Sequence, residues 1–199
     1  WHPITSASQA RRLRALFDSW AKRTGGAPEF ADFQGHDFSF RGLEGIEAAK
    51  KSGAAHLTSF KGSDTLPALD LIDAFYPSAA GWAPNDLVAG SVPATEHAVM
   101  CAGGRGDELE TYRRLLRTYP TGILSIVSDT WDLWHVATVI LPALRDEIMA
   151  RDGKLVIRPD SGNPVDIICG DLTAPEGTPA NLGLARLLAA TFGTTRNTQ

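Results

Sequence analysis

Arg158 and Asp160 stand two residues apart at the end of the apolar run Leu155-Val156-Ile157, and Ser161-Gly162-Asn163-Pro164 carries the chain on into a helix that Pro164 opens. An extended backbone turns side chains two residues apart to the same side. A fixed cation and an anion therefore converge where free backbone N–H groups also gather, beyond the carboxyl end of a strand, which is where α/β sheets bind ligands. A surface Arg–Asp pair beside a Pro/Gly turn would look the same from this segment alone. Other stretches repeat the pattern: Asp129 follows the run 123–127, Asp64 follows 56–60, Ser91 and His97 follow 87–90, and Phe38 and Arg41 follow 30–33. If the sheet closes, Phe38, Arg41, Asp64, Ser91, His97, Asp129, Arg158 and Asp160 line one mouth. An aromatic face, two guanidinium groups and three carboxylates would suit a substrate with a flat ring, several phosphates and a divalent metal.

Positioning such a set requires a scaffold, and the hydrophobic pattern supplies one. Ala10, Leu13, Leu16, Phe17 and Trp20 recur at helical spacing over residues 8–24, and Gly25-Gly26 stops the helix. Five strand–loop–helix units follow. The expected strands are 30–33, 56–60, 87–90, 123–127 and 154–157, and the helices after them cover 43–51, 66–75, 107–118, the stretch from Trp131 to Ile140, and the segment from Pro164. A Pro/Gly/Trp-containing connection follows residue 75, a Pro/Gly-rich loop spans 172–179, and a last helix spans 182–192. Alternating units of this kind predict an α/β fold whose parallel strands have helices outside them, as a barrel or a doubly wound sheet. A complete eight-stranded barrel needs about 250 residues, so 199 residues hold part of one.

Composition narrows the function classes. The chain is 43% hydrophobic with a net charge of −4 and no basic stripe, which argues against nucleic-acid binding. It has no apolar run of transmembrane length and no signal peptide. Cys101 and Cys169 are far apart, outside any Cys-x-x-Cys or zinc spacing, and imply a reducing, cytoplasmic setting. The stretch 103–106 lacks the Lys-Ser/Thr of a phosphate-binding P-loop. Arg105-Gly106-Asp107 reads as the opening of a helix rather than an adhesion tripeptide. A start at Trp1 and a polar terminal string suggest a piece of a longer protein.

Six motifs in series make the chain recognisable: Trp1-His2-Pro3-Ile4-Thr5; His36-Asp37-Phe38 with Arg41-Gly42; His56-Leu57 with Phe60-Lys61-Gly62 and Asp64-Thr65; Ser91-Val92-Pro93-Ala94 with Glu96-His97; Ser128-Asp129; and Ile157 through Pro164. Together they resemble the nicotinate/nicotinamide phosphoribosyltransferase family, on its nicotinamide-using side, over almost the whole chain. Ser39 and Phe40 depart from it, where glycine and tyrosine are expected.

The resemblance implies a single fragment, residues 1–199, of an irregular α/β barrel catalytic domain of the type II phosphoribosyltransferase kind, with the family's N- and C-terminal parts absent. It implies condensation of nicotinamide with 5-phosphoribosyl-1-pyrophosphate to nicotinamide mononucleotide and pyrophosphate, with Mg²⁺, with ATP as an optional coupling substrate, and in a homodimer that shares active sites. By position, Phe38 resembles the aromatic stacked on the pyridine, Arg41 a residue reaching the amide and phosphate region, and Asp64 the acceptor of the amide N–H. Ser91, Val92, Ala94 and Ser125 resemble pocket lining, and Asp129 part of the metal and phosphate region. Arg158 with Asp160 resembles the phosphoribosyl clamp, and His97 the histidine phosphorylated during ATP coupling. Residue type alone also allows Phe38 as core, Asp64 as a helix N-cap and His97 as a capping or exposed histidine. Two other readings compete. One is a nicotinate-using relative, which Asp64 disfavours because two carboxylates in one pocket repel. The other is a truncated, catalytically silent chain that only assembles with a partner.

Overall fold

The computed structural model describes residues 1–76 and 87–194. The connection expected after residue 75 and the last five residues of the terminal string lie outside the described residues. Two compact units divide the chain at Ser91 and Val92.

The first unit opens with α1, His2–Thr24. It begins six residues earlier than the apolar pattern predicts because Pro3 fits the first turn, where no N–H is needed. Lys22 and Arg23 complement the dipole at its end, and Gly25, at φ 70°, closes it in the left-handed conformation. Residues Pro28–Phe33, expected to contain a strand, form a 3₁₀ helix with Pro28 at its start. Pairing shifts into the segment expected to be a polar loop: β1, His36–Asp37, lies parallel to β2, Gly62–Ser63, with His36 opposite Gly62 and Asp37 opposite Ser63. Between them α2, Ile46–His56, reaches the start of the second expected strand, and 57–59 turn back. Gly90 makes a parallel bridge to Gly62, its N–H donating to the Lys61 carbonyl and its own carbonyl accepting from Ser63 N–H. This single bridge stands where a strand over 87–90 is expected. After β2 comes α3, Pro67–Phe75, packed so closely on α2 that a Cβ on Gly53 would lie 2.7 Å from Ala68 Cβ. Arg14, paired within α1 to Asp18 at 2.9 Å, ties the helix to this frame through Asp32 at 2.7 Å and the Ser59 carbonyl at 2.9 Å.

The second unit carries the longer pairing. β3, Thr121–Val127, and β4, Asp152–Arg158, are parallel over seven residues, from Thr121 opposite Asp152 to Val127 opposite Arg158. Leu124 to Val127 are buried without alternation, as expected of a parallel strand covered on both faces. Gly122 and Gly153 pass so closely that a Cβ on Gly153 would sit 2.0 Å from the Gly122 carbonyl oxygen, and only glycine fits there. Ala94 adds a parallel bridge to Ser125. The helices are α4, His97–Cys101; α5, Glu108–Thr118; α6, Leu133–His135; α7, Leu141–Ala143; α8, Arg145–Met149; α9, Pro164–Cys169; α10, Pro179–Leu182; and α11, Leu184–Phe192. A π turn, Val136–Ile140, joins α6 to α7 directly before Pro142, whose missing N–H an unbroken α-helix would leave as a lost bond. Gly183, at φ 80°, splits the expected last helix into α10 and α11. The core gathers Met100, Tyr112, Leu116, Leu124, Ile126, Val136 and Ile140 between the strands and these helices. Among the described residues no helix is long and apolar enough to cross a membrane.

Candidate active site

Each unit holds one cluster of the residues singled out above. In the first, β1 and β2 deliver His36 and Asp64 side by side. The chain leaves β1 through Asp37, a buried carboxylate whose Oδ1 accepts the Ser39 N–H at 2.9 Å. Burial pushes this carboxyl up, but hydrogen bonding, from Ser39 above all, outweighs it and holds the group below the usual aspartate range. That bond starts the 3₁₀ turn Ser39–Gly42, so Phe38 stands at the turn's entrance and Arg41 within it. The Phe38 ring lies 4.5 Å from the His36 ring, centroid to centroid, tilted by 35°.

Asp64 leaves β2 with its own N–H donating to the Asp37 carbonyl at 2.9 Å. Its Oδ1 accepts the Ser91 hydroxyl and lies 3.1 Å from His36 Nε2. The structure therefore brings Phe38, Asp64 and Ser91 together around His36, a residue that stands in one of the sequence motifs without a role of its own there. Asp64 does not cap α3, whose N-cap is Leu66 with no side-chain cap bond.

In the second unit the ends of β3 and β4 meet. Asp129 follows β3 and Asp160 follows β4, and the strand pairing brings them together: Asp129 Oδ2 accepts the Asp160 N–H at 2.9 Å and the Ser161 hydroxyl at 2.5 Å. Burial again favours the neutral acid, yet these donors and the nearby His97 hold Asp129 below the usual range. Asp129 Oδ1 is buried and accepts no hydrogen bond among the described residues. Arg158 Nη1 lies 3.6 Å from Asp160 Oδ1, and its Nη2 donates to the Thr95 carbonyl at 2.7 Å.

His97, first residue of α4, is anchored through Nδ1 to Thr130 Oγ1 at 3.1 Å, and its Nε2 lies 3.3 Å from Asp160 Oδ2 and 4.0 Å from Asp129 Oδ1. Beneath, Ser125 is buried on β3, bridged to Ala94 through the Ser125 N–H to the Pro93 carbonyl and the Thr95 N–H to the Ser125 carbonyl. Val92 begins this unit at the head of the same segment.

Thr95, Thr130 and Ser161 were missed. Thr95 is the most consequential of them: buried, it accepts Val127 N–H on Oγ1 at 3.0 Å and so fastens the 93–97 segment to β3 while holding Arg158. Its motif neighbours gave a signal, but a threonine acting largely through its backbone gives none of its own.

An exposed acceptor held by the Ser91 hydroxyl in the cluster that includes the Phe38 ring suits a planar ligand with an amide. A guanidinium, two adjoining carboxylates and strand-end N–H groups suit a phosphorylated ligand with a cation. The pattern that defines the Nicotinate phosphoribosyltransferase (NAPRTase) family matches residues 33–199, more than half of the chain. The chain belongs to this family. Nicotinamide phosphoribosyltransferase of Acinetobacter baylyi is 46% identical to it over 206 residues, covering all of this chain and 40% of its own length. The Mycoplasma pneumoniae nicotinamide phosphoribosyltransferase is 38% identical over 198 residues, 99% of this chain and 40% of its own. The Xanthomonas campestris pv. campestris nicotinamide phosphoribosyltransferase is 38% identical over 177 residues, 84% and 35%. The chain thus spans 40% or less of the length of these relatives.

Proposed function

We propose that this chain is part of a nicotinamide phosphoribosyltransferase, a longer catalytic chain of irregular α/β barrel form, which condenses nicotinamide with 5-phosphoribosyl-1-pyrophosphate in NAD salvage. The observation that carries the proposal is Asp64: a carboxylate anchored by Ser91 on the oxygen next to His36, with Phe38 alongside, in a family that transfers phosphoribosyl groups to pyridines. Phe38 stacks on the pyridine, a contact worth about 0.5–1.5 kcal/mol beyond its buried area, and Asp64 accepts from the carboxamide N–H₂. Arg41 serves the amide and phosphate region, Ser91 anchors Asp64, and in the second unit Val92, Ala94 and Ser125 are the residues we assign to substrate contact.

Cleavage of the bond from ribose C1 to pyrophosphate builds positive charge on the sugar and negative charge on the leaving group, so the enzyme needs fixed cations and alignment rather than a covalent nucleophile. Arg158, pinned by the Thr95 carbonyl and beside Asp160, holds the phosphoribosyl group in line for attack by the ring nitrogen. Asp129 and Asp160 are the carboxylates we assign to Mg²⁺. Asp129 Oδ1, buried and accepting no hydrogen bond among the described residues, suits a hard cation. These two carboxylates would hold the ion, which when bound would supply positive charge to offset that of the departing pyrophosphate. His97 serves ATP coupling. The working form is a homodimer with shared active sites in the cytoplasm, a setting in keeping with the free, exposed Cys101 and Cys169.

The test is formation of nicotinamide mononucleotide by the full-length protein from nicotinamide, 5-phosphoribosyl-1-pyrophosphate and Mg²⁺. Asp64→Asn should weaken nicotinamide by about ten- to 150-fold, the worth of roughly 1.5–3 kcal/mol for a hydrogen bond to a charged group. An unchanged preference for nicotinamide over nicotinate in that variant would remove Asp64 from the site.

A further inference from the structure

Phe38 and Asp64 are each the single residue spanned by a hydrogen bond from backbone to side chain. Asp37 Oδ1 accepts the Ser39 N–H at 2.9 Å and closes a turn around Phe38. Ser63 Oγ accepts the Thr65 N–H at 3.1 Å and closes a turn around Asp64. The two accepting residues stand opposite one another in the register of β1 and β2, and both are buried. In such turns a short polar side chain takes the place of a backbone carbonyl. They matter here because β1 and β2 are only two residues long, and Phe38, at φ −113° and ψ 16°, has left its strand without entering a regular helix. A cross-link joins the turns: the Asp64 N–H donates to the Asp37 carbonyl at 2.9 Å. That carbonyl belongs to the same peptide group as the Phe38 N–H, so one planar peptide and one hydrogen bond set the backbone of Phe38 against that of Asp64.

Resting on the nicotinamide reading above, we propose that Asp37 and Ser63 are a matched pair of positioning residues: Asp37 fixes the aromatic that stacks on the pyridine, and Ser63 fixes the carboxylate that selects its amide. The two control different properties. Phe38 meets the flat face of the ring, which nicotinamide and nicotinate share, so loosening its turn weakens both ligands alike. Asp64 meets the amide, which nicotinamide alone carries, so loosening its turn erodes the preference between them. Ser91 steadies the Asp64 carboxylate from outside this turn, so the loss on the Ser63 side is partial.

Calorimetric binding of nicotinamide and of nicotinate to the full-length protein, with KM for each substrate measured alongside, tests the pair. Asp37→Ala should weaken both pyridines about tenfold and leave their affinity ratio unchanged. KM for 5-phosphoribosyl-1-pyrophosphate and kcat at saturating nicotinamide should stay close to wild type. Asp37→Asn, whose side-chain oxygen accepts the same bond, should recover most of the loss. Ser63→Ala should cut the preference for nicotinamide about fivefold. It removes a single oxygen and so disturbs the fold least. If Asp37→Ala does not fold, Asp37→Ser, which closes such a turn more weakly, takes its place. The proposal is overturned if Ser63→Ala keeps the full preference, if Asp37→Asn is as weak as Asp37→Ala, or if KM for 5-phosphoribosyl-1-pyrophosphate rises in step with that for nicotinamide. Asp64→Asn, run in parallel, separates the two levels. If it leaves the preference intact, the nicotinamide reading of this site fails; if it relaxes the preference while the Asp37 and Ser63 variants follow wild type, the positioning roles alone fail.

Discussion

The Arg158 guanidinium donates to the carbonyl of Thr95 at 2.7 Å, across the sheet from the strand that carries it, and the Thr95 hydroxyl in turn accepts the Val127 N–H at 3.0 Å. One buried threonine therefore joins three segments: the loop leading to His97, the end of β3 that leads to Asp129, and the end of β4 that leads to Asp160. The phosphate-side cluster owes its shape to this bracket as much as to the charged residues themselves.

Removing the bracket's hydroxyl should be felt as stability. Thr95→Val keeps the volume and the carbonyl but leaves Val127 N–H buried without its acceptor, a loss of about 1–3 kcal/mol. Thr95→Ser keeps the acceptor and should lose much less. Urea denaturation of the two variants and wild type measures both; equal stability of the valine and serine forms would show that the hydroxyl does not hold the strand.

Asp129 should titrate low. Two donors on Oδ2 and the neighbouring His97 outweigh burial and favour its charged form. A carboxyl depressed in the folded state stabilises the fold above its unfolded value, about 3.9, and that contribution disappears as pH falls through the lower folded value. Carbon-detected NMR of the Asp129 carboxyl should give a midpoint below the ordinary aspartate value. Ser161→Ala, which removes one donor, should raise that midpoint, and a midpoint that did not move would discount the Ser161 contact.

The regular parts of the fold were legible in the residues, and the short ones were not. Ile123 to Val127 and Leu155 to Ile157 announce β3 and β4 as apolar, β-branched runs, and in β3 the continuous run matches Leu124 to Val127 buried without alternation. β1 and β2 are two residues each, His36–Asp37 and Gly62–Ser63, too short to carry a period and polar besides. The hydrophobic pattern therefore placed both strands a few residues too early, at an aromatic segment that Pro28 turns into a 3₁₀ helix and at the end of α2. The site followed the same division. Asp129 and Asp160 could be read as carboxylates at successive strand ends, whereas His36 beside Asp64 depends on the register of β1 against β2, and Thr95 acts largely through main-chain atoms.

The 199-residue chain by itself should associate. Among the described residues β4 pairs with β3 alone, Val156 on it is 42% exposed, and a groove of about 620 Å³ beside it is lined by Leu155, Ile157, Leu188 and Phe192. An open strand edge next to apolar surface is a template for another chain. Sedimentation velocity should show concentration-dependent oligomers, and Val156→Lys should shift them toward monomer. A wild-type chain that stays monomeric as concentration rises would mean that this edge is protected. The same preparation should form little or no nicotinamide mononucleotide, since more than half the length of the relatives lies outside it.

His97 should accelerate the reaction without being indispensable to it. Attack of the pyridine nitrogen on the ribose carbon transfers no proton to or from a histidine, so the basal reaction requires only the ring contacts and the phosphate clamp. On the proposed function His97 is the phosphoryl acceptor instead. Thr130 steadies Nδ1 at 3.1 Å, while Nε2 points between Asp160 at 3.3 Å and Asp129 at 4.0 Å, the two carboxylates assigned to Mg²⁺. A phosphoryl group transferred from ATP to this ring, with release of the ring proton and ADP, would set negative charge and strong acceptors beside the cation and the pyrophosphate. Substrate binding and the reaction's equilibrium would shift accordingly. Asn is the informative replacement, because it keeps polarity and much of the volume and accepts no phosphoryl group in this way. In the full-length protein, His97→Asn should retain measurable product formation without ATP and show no stimulation when ATP is added. Stimulation that persists would exclude phosphorylation of His97; loss of basal turnover in a variant that still folds and still binds nicotinamide would move His97 into the chemical step itself.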